Sequence, residues 1–177
     1  MRLSNAFVVL VAFTFAACAS NNPQQAPVSQ PPAPAAEPSN QGPQLGNDEI
    51  AKQLLAAVNK QRTDNGLKLL ETSPELAASA QEHSDKMSSG NFLSTVGADE
   101  ASVITRVTSH GVKTLRLGEN VIRLKTRPDR VADETMTNWM NAAADRKNIL
   151  SPAFTKTGFG LTRSADGNYY ITQDFAQ

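Results

Sequence analysis

The chain has 177 residues, with 17 Lys and Arg against 17 Asp and Glu. A balanced charge without a basic block argues against nucleic acid or an anionic bilayer surface as the partner. The single cysteine, Cys18, excludes an intramolecular disulfide.

From Met1 to Ala17, Arg2 is followed by an apolar run from Ala6 closed by small residues, the pattern of a secretory signal peptide. It is shorter than the roughly 20 apolar residues a membrane span needs. Phe15-Ala16-Ala17-Cys18 resembles a bacterial lipoprotein signal, in which the cysteine becomes the lipidated first residue of the mature chain. A free thiol there would be a reactive liability, so lipidation of Cys18 is the expectation, and the membrane is a partner through that lipid. An ordinary signal peptide cut near Ala17 is the competing reading, since Phe15 stands where Leu is usual and only one basic residue precedes the run. Ala19-Ser20 lacks the Asp that often retains lipoproteins in the inner membrane. In an organism with an outer membrane, that membrane is the expected location, with the domain periplasmic or surface-exposed.

Residues 18–46 carry the lipidated end and a Pro-, Gln-, Ala- and Ser-rich stretch with no apolar face, expected to be an extended tether. A Pro-rich ligand for a partner is the rival reading, though no basic or aromatic residues flank it. The domain is expected over 47–177, enough to bury one core without disulfides.

Asn47 can cap a helix with Asp48 and Glu49 in its first turn and Ile50, Leu54, Leu55 and Val58 on one face, ended by Gly66. Ser73-Pro74-Glu75 starts a second helix, with Leu76, Ala80, His83 and Met87 in one stripe and Gly90 as its stop. A short helix is readable around Ala101 to Thr108. After Gly118 the period becomes two, with Asn120, Ile122 and Leu124 against Val121, Arg123 and Lys125. Pro128 opens another helix whose inward stripe is Val131, Ala132, Thr135, Met136, Trp139 and Met140. Two strands, from Phe159 and from Tyr169, flank the turn Ala165-Asp166-Gly167-Asn168. Helices before and between strands, with an antiparallel terminal pair, indicate an α+β class.

Six pieces occur in order over about 130 residues of this chain. They are Asn59-x-x-Arg62 with Gly66-Leu67, Ala80-x-x-His83-Ser84-x-x-Met87, Gly118-Glu119-Asn120, Trp139, Asp145-Arg146-Lys147-Asn148-Ile149-Leu150 and Gly158-Phe159-Gly160. Together they resemble the bacterial branch of the SCP or CAP superfamily, related to cysteine-rich secretory proteins, antigen 5 and plant pathogenesis-related 1 proteins. The resemblance implies a three-layered α-β-α sandwich with a small, mainly antiparallel sheet.

In well-studied members the central cleft holds two His and two Glu, which in some bind a divalent metal. Carried over by motif, Ser94 stands at the first His position, Glu119 is kept, Ala142 stands at the second Glu and Asp145 at the last His. Glu119 and Asp145 could pair, but zinc without imidazole or thiolate is unusual and calcium wants about six to eight oxygens. No metal or other cofactor is therefore expected. Glu119 is read as holding donors inside the cleft, and Asp145 as capping a turn that begins at Arg146.

Of the two histidines, His83 lies on the apolar stripe and reads as a hydrogen-bonded core residue, buried by the first helix. His110, nine residues before Glu119, is the alternative candidate for the first His position. Trp139 reads as core, and Asn120, Arg146 and Asn148 as motif residues, the last two tying their loop to the sheet.

The leading functional reading is a non-catalytic, envelope-anchored SCP-domain lipoprotein that binds a lipid, peptide or envelope component in its cleft or on its surface. A hydrolase or metal-dependent enzyme is the alternative, with Ser94 or Ser84 beside His83 as the only candidate nucleophiles, although Ser84 points away from its sequence neighbour on a helix. A passive envelope spacer is the third reading. An apolar space around Glu119 would favour lipid or peptide binding, a carboxylate-lined polar one metal chemistry, and a filled one the spacer.

Overall fold

The apolar spacing at the start of the domain produces α1, Asn47–Asp64, which buries Ile50, Leu54 and Val58 completely. A computed structural model describes residues 46–97, 102–114 and 116–177; the signal peptide, Cys18 and the Pro-rich stretch lie outside them. Gly46, not Asn47, is the residue that precedes the helix, because the Asn47 amide is spent elsewhere, donating to the Leu161 carbonyl at 2.9 Å. Gly66, at φ +70°, closes the end. In the last turn Arg62 is buried and donates to the carbonyls of Lys68, Ile149, Ser151 and Phe154 at 2.8 to 3.1 Å. One guanidinium thus fastens α1 to two later loops.

A two-residue strand, β1 (Glu71–Thr72), leads into α2 (Pro74–Gly90). The Ser73 hydroxyl accepts from the Leu76 N–H at 3.3 Å and Pro74 occupies the first turn, as the sequence indicates. Leu76, Ala80, His83 and Met87 are all buried. The stop differs: Gly90 stays helical and Asn91 takes the left-handed conformation at φ +49°. Its side-chain oxygen is held by the Tyr170 hydroxyl at 3.0 Å and Arg123 at 3.2 Å.

The chain continues through α3 (Val103–Ser109), β2 (Leu117–Leu124), α4 (Val131–Asn141), α5 (Ala143–Ile149), β3 (Lys156–Arg163) and β4 (Tyr169–Ala176). Pro128 begins a single 3-10 turn before α4 rather than α4 itself. The sheet order is β1-β3-β4-β2, with β1 parallel to β3 and the other neighbours antiparallel. Gly167, at φ +87°, closes the β3–β4 turn.

Strand alternation then sorts the layers. Phe159, Leu161, Ile171 and Phe175 face a core shared with α1, α4 and α5, where Trp139 and Ile149 are buried. The opposite face of β3 and β4 carries α2. A Cβ at Gly158 would lie 2.1 Å from the Ala77 nitrogen, and one at Gly160 2.2 Å from the Ala80 carbonyl carbon. Gly-Phe-Gly therefore serves both faces: two bare positions let the α2 backbone lie on the sheet, and the phenyl between them fills the other core. This is the expected α-β-α sandwich.

Candidate functional site

Because Asn120, Ile122 and Leu124 share the face of Phe159, the odd-numbered Glu119 leaves β2 toward α2. Its partner across the ladder is Asp174 of β4. The Glu119 side chain is only 2% exposed and Asp174 is fully buried. Glu119 Oε2 accepts from Arg106 Nη2 of α3, and Glu119 Oε1 lies 3.8 Å from His83 Nε2. Asp174 Oδ2 accepts from the Ser79 hydroxyl of α2 at 2.7 Å. Arg106 Nε and Nη1 are buried without a hydrogen-bond partner, and the Glu119 and Asp174 carboxyls are hydrogen-bonded to each other.

Two carboxyls this close and this buried do not both ionise. Burial first, and the Asp174 charge second, push the Glu119 carboxyl up to about 9, against the pull of Arg106. Burial also raises Asp174. The pair therefore favours holding a proton, with the Arg106 guanidinium set against the charge that remains.

Residues 55–175 match the model of the cysteine-rich secretory protein family, CAP. The chain belongs to the CAP family. It is 31% identical over 113 residues to the uncharacterized protein YkwD of Bacillus subtilis, a match covering 64% of this chain and 42% of that protein. An extracellular protein containing an SCP domain from Bacillus anthracis is 27% identical with a TM-score of 0.62, covering 77% of this chain and 45% of that one. This chain thus spans less than half the length of either Bacillus relative. An outer surface protein of Borrelia burgdorferi shares the fold at 16% identity and a TM-score of 0.65, over 74% of this chain and 94% of that one.

Against the CAP positions, Glu119 is the one cleft residue in the buried cluster. Ser94 contributes its backbone, with its carbonyl 2.6 Å from His83 Nε2, while its hydroxyl accepts from the Val96 N–H at 3.0 Å. Ala142 is the half-buried joint between α4 and α5. Asp145 does not cap a turn at Arg146, because α5 already begins at Ala143 and its entry has no side-chain cap. The half-buried Asp145 carboxyl is raised by burial. Its backbone carbonyl accepts from Asn120 at 3.2 Å, so α5 joins β2 from the face opposite Glu119. The carboxyl that Glu119 meets is that of Asp174 instead.

His110 ends α3 and reaches Glu82 at 2.7 Å, beside Lys86, which pairs with the same carboxylate at 2.9 Å. It thus serves a half-exposed contact between α2 and α3 rather than standing in for the first His position. His83 is a buried hydrogen-bonded core residue, but α1 does not cover it. Phe92, whose ring meets it edge-on at 6.4 Å, and the chain at Ser94 do so, because α1 lies across the sheet. Asn148 does tie its helix to the sheet, donating to the Glu119 carbonyl at 3.1 Å and to Asn120 Oδ1 at 2.8 Å. Arg146 does not: it donates to the Met140 carbonyl at 3.1 Å and fastens α5 to α4. Trp139 is core, 1% exposed.

Neither serine faces an open base. The Ser84 hydroxyl donates to the Gly160 carbonyl at 3.0 Å and lies 2.9 Å from the Thr172 hydroxyl, fully buried against the sheet. Nor do the residues present fit the divalent ion of other CAP clefts. A guanidinium fills the place beside Glu119, and among the described residues no group of three or more His, Cys, Asp or Glu could hold a metal.

Sequence reasoning missed Arg106, Asp174 and Ser79. Arg106 precedes His110 by one helical turn, and Asp174 falls in phase with Tyr170 and Thr172 on a buried strand face. An acid at that phase was the available signal.

Proposed function

We propose that this CAP domain is a non-catalytic binding module, carried on the cell envelope by a lipid on Cys18, that takes a lipid, peptide or envelope component on its surface. What supports the non-catalytic part of this reading is the sealed site: Glu119 is closed off by Arg106, and Ser84 is consumed by the sheet. A hydrolase needs a nucleophile, a base and access for substrate together. The reading of an exported, anchored protein draws on Phe15-Ala16-Ala17-Cys18, on the extracellular SCP-domain relative, and on the lack, among the described residues, of any helix long and apolar enough to cross a membrane. In an organism with an outer membrane, that membrane is the proposed site of attachment.

The filled cleft also favours a second reading, a passive envelope spacer. Full-length chain carrying Cys18→Ser separates the two. This protein should leave the membrane fraction after a high-salt wash yet, once returned to low ionic strength, still co-sediment with lipid vesicles or isolated envelope fragments. Persistence in the washed membrane pellet would defeat the lipid anchor; failure to co-sediment with either material would leave the spacer.

A further inference from the structure

We propose that the Glu119–Asp174 carboxyl pair is a guanidinium receptor filled by the chain's own Arg106, so that an arginine side chain stands in this CAP cleft where a metal ion stands in others. The two acids are direct cross-strand partners, so both carboxyls emerge on the same face of adjacent strands. Arg106 enters from α3 with its side chain only 2% exposed. Burying a guanidinium so deeply is costly unless a negative group receives it, and the acid pair is that group.

The donor set selects against a metal. The one imidazole at hand, His83, has its Nε2 2.6 Å from the Ser94 carbonyl, leaving two carboxyls as ligands. Hard ions ask for about six oxygens or more and zinc for imidazole or thiolate. A flat fork of N–H donors asks only for carboxyl oxygens, and Arg106 Nη2 meets Glu119 Oε2 while Glu119 is itself hydrogen-bonded to Asp174. The contact also positions α3. Seven residues are too few to hold a helix alone, and α3 is otherwise fixed by Val107, packed with Leu76 and Ala176, and by the His110–Glu82 contact.

Chemical rescue tests the assignment. Full-length Arg106→Ala should melt below the wild type, and low-millimolar guanidinium chloride should raise its melting point by about 5 °C. Equal urea, the neutral isostere, and equal sodium chloride should not, and the wild type should not respond to guanidinium. A wild-type melting point for Arg106→Ala, equal effects of urea or sodium chloride, or a larger rise with zinc or magnesium would each overturn the proposal. If Arg106→Ala does not fold, Arg106→Ala combined with Glu119→Gln and Asp174→Asn removes the charge to be balanced. Recovery of a folded protein supports the receptor; continued failure overturns it, because the site then needs the bulk of the arginine rather than its charge.

Discussion

Glu119 and Asp174 face each other across the β2–β4 ladder beneath α2, one carboxyl against Arg106 and the other against the Ser79 hydroxyl. In the unfolded chain both acids ionise near their ordinary values, 4.5 for Glu119. In the folded chain Glu119 keeps its proton up to about 9. The folded state therefore binds the extra proton, and the stability this confers is complete below pH 4.5 and is lost as pH rises through 9. The expected result is a decline in the unfolding free energy from urea denaturation between about pH 5 and 9, with a limiting slope of about 1.4 kcal/mol per pH unit. Glu119→Gln should flatten it; a wild-type value that holds level or climbs over this window contradicts the shared proton.

Gly160 lies against the α2 backbone, with a Cβ there only 2.2 Å from both the Ala80 carbonyl carbon and the Gln81 nitrogen. Backbone cannot swing aside as a side chain does, so Gly160→Ala must lift α2 from the sheet or bend β3. We expect a loss of about 3 kcal/mol by urea denaturation. Gly167→Ala, at φ +87° with only the flexible Lys125 side chain nearby, should cost about 1 kcal/mol. Equal costs at the two positions would mean that close packing on α2 is not what the motif supplies.

The helices were legible because their apolar residues repeat at helical spacing: Ile50, Leu54 and Val58 on α1, and Leu76, Ala80, His83 and Met87 on α2, are all buried. The hairpin was legible from Ala165-Asp166-Gly167-Asn168. β1 was not, since two residues have no period and a parallel pairing to β3 is set by chain far away in sequence. The partner of Glu119 was not legible either. Spacing within β2 says that Glu119 and Asn120 face opposite ways, but which face meets α2 is fixed only by the β2–β4 register and by the two glycines beneath that helix. Arg106, on a short helix with no charge partner nearby in sequence, carries no signal of its role until Glu119 is placed beneath it.

Arg62 gathers the carbonyls of Lys68, Ile149, Ser151 and Phe154 around one planar fork. Arg62→Met keeps much of the apolar stem and leaves those acceptors without a donor, which should cost at least about 3 kcal/mol. Arg62→Lys should recover only part of that, since a single ammonium cannot span the four directions. Urea denaturation of the three proteins decides it, and a lysine variant as stable as wild type would show that charge alone suffices.

His83 and Ser84 test whether the cleft retains chemistry. His83→Ala removes a buried imidazole from the Ser94 carbonyl and the Phe92 edge, and should cost about 1 to 3 kcal/mol. Ser84→Ala should cost about 1 kcal/mol through its hydrogen bond to the Gly160 carbonyl. The proposed non-catalytic role predicts that neither change, nor Glu119→Gln or Asp145→Asn, removes any turnover of peptide, ester or glycan substrates by the purified chain, because no hydroxyl here meets an open base. Turnover by the wild type that disappears in a folded His83→Ala or Glu119→Gln protein, with circular dichroism unchanged, would instead establish a hydrolase.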